Sequence, residues 1–422
     1  LWPQAALSMV AVTTLLSADR HDRRGDYNRG DDRRAMHCDR ISICGPEVPM
    51  AVNPSVRPFT DDACCCDEGE FSLTLAGFYW QATQDGLEYA IESTAVVENP
   101  PTFPVATGTL LTLIDGSYRN PEFKWKPGFK VGLGYNTTHD GWDIELIWTH
   151  YNGRAKSSDD NESDLNVALQ PLWSAFAPVA TADNVPGTVL YATQANTSWR
   201  LDLNLVDLEL GREYYTSKML TLRPFVGLRY ASLHQRYNIQ YLGGSYDGSA
   251  LPGPFIDDVK LKNEFDGGGV RAGLDTNWWF GCCPGPCPSN WGFFGDFAAS
   301  LIYGKFDVDH DENLQSPLAS TGFAKTPVLE TDEHFRSIRG IIDLALGLQY
   351  ETLYRDGNWG MNLSLAWEFH HFFNQNQLWR VVRIGDASAD GVTLGTHGEN
   401  TFNQRRGDLS TQGVTFTARF TF

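Results

Sequence analysis

From Glu70 to the C-terminus, polar and apolar residues alternate one by one, broken only by turn-like or loop-like stretches. Successive side chains of a strand point to opposite faces, so a period of two predicts strands with one apolar and one polar side. Gly413–Phe422 is the cleanest case: Val414, Phe416, Ala418, Phe420 and Phe422 share a face opposite Thr415, Thr417, Arg419 and Thr421. Phe71, Leu73, Leu75, Gly77 and Tyr79 make a matching first face, and Leu87, Tyr89 and Ile91 continue its phase. Similar faces recur at Phe129–Tyr135, Trp142–Trp148, Leu220–Tyr230, Val270–Trp278, Phe293–Tyr303, Ile342–Tyr350 and Met361–Phe369. One run slips. Trp199, Leu201, Leu203 and Leu205 are apolar, and then Val206, Leu208 and Leu210 take over. One extra residue would do this, so a β-bulge is expected near Leu205. Pro127 and Pro224 cannot donate to a ladder and are expected near strand ends.

The connections sort by length. Short turns at 137–140, 213–217, 281–290 and 353–358 alternate with long segments at 93–122, 153–196, 243–262, 306–334 and 375–409. Barrels of the bacterial outer membrane have this arrangement, with short periplasmic turns and long external loops. After the N-terminal region no apolar run approaches the roughly 18–20 residues of a membrane helix, so a membrane-spanning chain must close into a barrel. The expected fold is all-β: a transmembrane antiparallel up-and-down β-barrel over residues 70–422, of about ten strands. The count rises to twelve if Thr83–Ser93 folds back and Gly108–Asp115 is a strand. Alternation alone also fits a soluble protein with the faces exchanged. The loop sorting decides for the membrane, as does the placing of Trp80, Trp125, Trp142, Trp148, Trp199, Trp278, Trp291 and Trp367 near strand ends, where indoles favour the lipid boundary. The terminal strand should close against Glu70–Trp80, with Phe416, Phe420 and Phe422 as its assembly signal.

Residues 1–69 stand apart. Leu1–Ala18 has the short apolar profile of a secretory-signal core, although it opens on Leu without a preceding basic residue. It is read as a signal-peptide remnant, and 19–69 as a flexible Cys-containing linker. Cys38, Cys44, Cys64, Cys65 and Cys66 precede the first strand, and Cys282, Cys283 and Cys287 sit in a Gly/Pro turn. They lack the spacing of a zinc site; disulfides in an oxidising compartment fit better, with the pairing open. A net charge of -19 argues against nucleic acid as a partner.

The polar faces supply the candidate functional groups. Asp143, Glu145, Arg200, Asp202, Arg223, Arg229, Arg271, Asp275, Asp296, Asp343, Glu368 and Arg419 are expected to line the lumen. Both signs are present, so opposite charges should pair across a narrow lumen and leave weak ion selectivity. An inward-folded part of Asn152–Thr197 or of 93–122 would narrow it further. Asp307, Asp309 and Asp311 start like a calcium loop but continue with Glu312 and Leu318 where Gly and Glu are required. Ser364 with His370-His371 hints at a hydrolase without any further motif. No metal, cofactor or catalytic residue is expected.

Several segments carry a family resemblance: Pro127–Asp140, Trp142-Asp143, Leu222–Tyr230, Gly269–Asp275, Trp367-Glu368, Phe373–Gln377 and Gly407–Phe422. In this order they resemble the Legionella-type major outer membrane protein family, which is similar in style to the chlamydial major porins. The Cys64–Cys66 cluster is similar to a chlamydial Cys-rich N-terminal segment. The resemblance implies a porin-like protein of the outer membrane that passes small hydrophilic solutes or ions, exported by an N-terminal signal. Its implied partners are outer-membrane lipid and lipopolysaccharide, the barrel-assembly machinery, small solutes and disulfide-linked or identical chains. The alternative is a structural or adhesive surface barrel with a plugged lumen.

Overall fold

The computed structural model describes residues 69–94, 116–137, 141–160, 167–174, 192, 194–217, 219–242, 256–280, 289–315, 325–354, 359–384 and 399–422. The expectations for 1–18, for the linker up to residue 68 and for all eight Cys lie outside these residues. Sixteen strands are described. The first eight are β1 (Glu70–Gln84), β2 (Ala90–Thr94), β3 (Gly116–Arg119), β4 (Phe123–Asn136), β5 (Trp142–Asp160), β6 (Val167–Pro171), β7 (Gln194–Arg212) and β8 (Tyr214–Tyr215). The others are β9 (Leu220–Leu242), β10 (Ile256–Phe280), β11 (Ser289–Gln315), β12 (Lys325–Tyr354), β13 (Trp359–Asn376), β14 (Trp379–Ile384), β15 (Glu399–Gln404) and β16 (Gly407–Thr421).

Ten of them close into an antiparallel ring in the order β10-β11-β12-β13-β16-β1-β4-β5-β7-β9, with β9 pairing back onto β10. The terminal strand closes against the first, in register from Ser72↔Thr421 to Gln84↔Leu409. Two backbone bonds of 2.9 Å between Phe71 and Phe422 finish this seam, and the Phe422 ring stacks on Trp359 at 5.6 Å. Deleting Phe422 removes both bonds and the stacking contact. The expected result is a lower yield of heat-modifiable, membrane-inserted protein; insertion at the normal level would remove the assembly role from this residue.

Around the ring runs an outward belt of exposed Leu75, Leu133, Leu146, Leu228, Val270, Leu301, Leu346, Leu365 and Phe416. A continuous apolar surface of this extent is unstable in water and marks a lipid-facing wall. Trp148, Trp278, Trp291 and Trp367 are exposed with it. Trp80 and Trp199 are not: both point inward and are buried, at 0% and 1% exposure. They belong to the interior rather than to an aromatic girdle.

That correction is part of a larger one. The inward residues of β9 read Arg223, Phe225, Gly227, Arg229 and then Ala231, Leu233, Gln235, Tyr237, Ile239 and Tyr241, without a change of phase. Near Tyr230 the wall exchanges its polarity. On the turn side it is apolar outside and charged inside; on the loop side it is apolar inside and polar outside. The slip on β7 has the same origin. Its register with β5 and with β9 runs unbroken through Leu205, so the expected β-bulge is absent there. Trp199, Leu201, Leu203 and Leu205 face inward together with Asp207 and Glu209. Arg200 and Asp202 therefore face outward and are exposed; they do not line the lumen. The strands also outrun the lipid: residues 256–262, 306–315 and 325–334 of the expected loops are wall. Asp307, Asp309 and Asp311 lie on the outer face of β11, not in a calcium-loop conformation.

The prolines sit where the ladder lets them. Pro127 falls within the irregular Lys124/Gly128 step, where β4 leaves β5. Pro224 pairs with Leu274 on one side, while the β7 ladder reaches only Phe225 on the other. Leu87 and Tyr89 do not extend β1. The chain turns at Gly86, whose φ of 83° suits glycine, and both side chains enter the barrel mouth, fully buried.

Candidate functional site

At lipid depth the interior is crossed by one connected set of charges. Arg223 donates through Nε and Nη2 to Asp143 at 2.6–3.1 Å and through Nη1 to Asp275 at 2.6 Å. Its Nη1 is also 3.5 Å from Glu209. Arg271 Nε donates to Glu209 at 2.9 Å, and Arg271 Nη1 to Asp343. Arg229 is held by Asp207 at 2.5 and 2.7 Å and by Asp343 at 2.7 Å. Asp343 also meets His370 Nδ1 at 2.7 Å. The other nitrogen of His370 lies 3.5 Å from Glu368, which accepts from Lys130 Nζ at 2.7 Å. Glu145 accepts from Thr74 at 3.2 Å and lies 3.8 Å from Arg419. Asp296 stands opposite Asp275 in the β10–β11 register.

These contacts fix the direction of the side chains. Lys130 on β4 reaches Glu368 on β13 across two intervening strands, and Arg229 on β9 reaches Asp343 on β12 across two more. Only groups pointing into the ring can do so. Ten of the twelve expected lumen residues lie in this set, the exceptions being Arg200 and Asp202. Lys130, Asp207, Glu209 and His370 belong to it as well. The alternation carried the signal for Asp207 and Glu209, but an expected bulge moved them out of phase. Buried ions are stable only when each finds a counter-charge and hydrogen bonds, and the contacts above supply these to the members other than Asp296, which is placed in the set by its register with Asp275. Ser364 and His370 are six residues apart on one strand, roughly 20 Å at ~3.4 Å per residue, so they form no catalytic dyad.

Above the charges, on the loop side, the lumen is packed with apolar groups. Trp80 stacks on Phe78 at 3.6 Å, meets His370 at 4.8 Å and Tyr151 at 5.8 Å, and donates from Nε1 to Thr415 at 3.1 Å. Phe265 meets Phe306 at 4.6 Å, and Phe306 stacks on Phe335 at 5.1 Å. Leu201, Leu203, Leu233, Leu261 and Ile302 fill the rest.

Parts of the long connections sit on this core. β2 pairs with β3 and with β6 in a small sheet whose flanks send Leu87, Tyr89, Leu169 and Trp173 into the same cluster. Backbone carbonyls of this plug accept from the wall: Leu87 from Tyr237 at 2.8 Å and Tyr89 from Tyr241 at 2.5 Å. Glu88 pairs with Arg405, beside the β14–β15 hairpin. Phe373–Gln377 is the junction. Asn374 takes a φ of 50°, Asn376 Nδ2 donates to the Asp85 carbonyl at 2.9 Å, and Gln375 accepts from Asn263 at 2.8 Å. These side chains hold backbone in place, a structural rather than a reactive role.

A closed ten-strand ring with an apolar belt, a charged interior, short turns at one end and long segments at the other defines an outer-membrane β-barrel. Residues 63–422 match the family described as Legionella pneumophila major outer membrane protein precursor, and the chain belongs to that family. No curated protein compared with the chain matches it. Among solved structures it is similar to the outer membrane protease OmpT from Escherichia coli, at 10% identity and TM-score 0.31, covering 84% of this chain and 96% of that one. It is also similar to the Pseudomonas putida toluene transporter TodX, at 12% identity and TM-score 0.25, covering 85% and 90%. A Pseudomonas aeruginosa FadL homologue matches at 10% identity and TM-score 0.21, covering 84% and 90%. At these scores the likenesses carry no substrate or reaction across, and the fold rests on the strand pairing itself.

Proposed function

We propose that the protein is a non-catalytic outer-membrane channel for small hydrophilic solutes, preferring cations, whose described conformation is closed on the external side. The observation that carries this is the interior charge set at lipid depth. Asp143, Glu145, Asp207, Glu209, Asp275, Asp296, Asp343 and Glu368 outnumber Lys130, Arg223, Arg229, Arg271 and Arg419. An acidic, polar lumen lowers the entry barrier for cations and raises it for anions. The test is single-channel recording in planar bilayers across a salt gradient. Discrete steps with a reversal potential on the cation side are expected. Absence of steps from protein with verified heat-modifiable mobility overturns the channel reading.

A second reading has its own support. The apolar core and the plug close the outer half of the ring, as in a barrel that serves as a surface or adhesive scaffold and conducts nothing. The same recording decides between them.

A further inference from the structure

On the outer face of the loop-side wall, five cations stand in one line across five neighbouring strands. Lys124 of β4 pairs with Arg154 of β5, Arg154 with Arg200 of β7, Arg200 with Arg236 of β9, and Arg236 with Lys262 of β10. Strands lie ~4.8 Å apart, which makes the line roughly 19 Å long. Like charges directly opposite on paired strands repel and weaken a sheet. The whole chain carries a net charge of -19, so this concentration of cations runs against its own composition. Lys262 is neutralised by Glu264 at 3.1 Å and Asp309 at 3.3 Å. Lys124, Arg154, Arg200 and Arg236 are exposed and have no ion pair or side-chain hydrogen bond among the described residues. Asp202, two residues from Arg200 on the same face, accepts instead from Asn204 at 2.9 Å and lies 4.0 Å from His150. Lys156 and Lys260, both exposed, flank the line two residues nearer the loops.

A wall that needed charge only for solubility would intersperse the two signs and avoid the repulsion. An uncompensated line of one sign fits a ligand of the other. Its three central members are Arg, whose planar fork matches the oxygens of a phosphate two at a time. Height narrows the source. Exposed Trp148 and Tyr230 mark the edge of the lipid belt on β5 and β9, and Arg154 and Arg236 follow six residues later. At ~3.3 Å per residue and a strand tilt of about 40°, the line stands roughly 15 Å above that edge. The headgroup layer of a bilayer is about 5–8 Å deep, so a simple phospholipid ends below the line. A phosphate-bearing sugar chain attached to lipid rises past it, along the same strands whose lower halves face its acyl chains.

We propose that this line binds the phosphorylated oligosaccharide of a glycolipid in the surrounding outer leaflet. The site lies on the outside of the wall, so it goes beyond the channel reading and does not depend on it.

The test uses the full chain in detergent micelles, with folding verified by heat-modifiable mobility. The probes are a lipopolysaccharide with phosphorylated core sugars, the same lipid after chemical dephosphorylation, phosphatidylglycerol, and free inositol hexakisphosphate. The wild type should bind the phosphorylated glycolipid most tightly. The triple substitution Arg154→Gln, Arg200→Gln and Arg236→Gln should weaken that binding on the order of a hundredfold, at a factor of about five per cation. Lys325→Gln is the control, because this outer-face cation is already paired with Asp258, and it should bind like the wild type. Without glycolipid, Arg200→Gln should raise the midpoint of heat-modifiable mobility by relieving the repulsion; with glycolipid the order should reverse. Unchanged affinity in the folded triple variant, or equal affinity for the dephosphorylated lipid, overturns the site. Inositol hexakisphosphate bound as tightly as the glycolipid would make it a site for soluble polyanions and overturn the assignment. So would self-association of the wild type in glycolipid-free micelles that the triple substitution removes, since the line would then be a contact between copies.

Discussion

Trp80→Ala is expected to be the most damaging single substitution in the barrel interior. The indole is fully buried, stacked on Phe78, in contact with Tyr151 and His370, and bonded to Thr415. Truncating a core Trp costs about 3–5 kcal/mol through lost contacts and the cavity left behind. The cavity would lie between the charged and the apolar halves of the lumen, so water should enter it from below. We expect a lower midpoint for heat-modifiable mobility and a larger channel conductance than in the wild type. Trp367→Ala is the control, because that ring is exposed to lipid. Equal losses from both substitutions would mean that Trp80 has no special place in the closure.

The second large effect belongs to Asp343. It receives Arg229, Arg271 and His370, drawn from β9, β10 and β13. Asp343→Asn keeps the shape and removes the charge, leaving cations buried without their common partner. Breaking a buried ion pair from one side costs about 3–5 kcal/mol. The reversal potential should move toward zero as well, since the lumen loses a negative charge. A double change, Asp343→Leu with Arg229→Met, removes a charge of each sign and should recover part of the stability. Urea unfolding of vesicle-inserted protein measures the first effect and recordings in a salt gradient the second. If Asp343→Asn unfolds like the wild type, the network is not what ties these walls together.

The lipid-facing half of the barrel was readable because one rule governs it. Val226, Leu228 and Tyr230 face lipid, Arg223 and Arg229 face the lumen, and alternation says so directly. Past Tyr230 the rule still holds, but the media on the two sides exchange: inside is a dry core and outside is water. A reader who follows the apolar residue then crosses the wall without noticing. That is why Leu205 looked like a bulge, why Arg200 and Asp202 looked like lumen residues, and why Trp80 and Trp199 looked like girdle. The same exchange made Phe306–Gln315 pass for loop, since its outward Asp307, Asp309 and Asp311 are polar. The charge network was half legible. Its members could be named from strand faces, but their partners on β12 and β13 are set by how the sheet curls, which no local pattern encodes. The plug was legible only as a place. Asn152–Thr197 and 93–122 were long enough to fold inward, and Leu169 and Trp173 show their role only when set against Tyr237.

Strand length also has a consequence at the cell surface. The strands from β9 to β12 hold 23, 25, 27 and 30 residues, against 15, 14, 18 and 15 in β1, β4, β13 and β16. At ~3.3 Å per residue the longest extends roughly 100 Å along its own direction, several times the apolar band of about 25 Å. One side of the ring therefore stands as a parapet above the other. Its face is hydrogen-bonded sheet whose charged rows keep a fixed spacing. An antibody or phage arriving there would meet a stiff, patterned panel where loops alone would offer a shifting fringe.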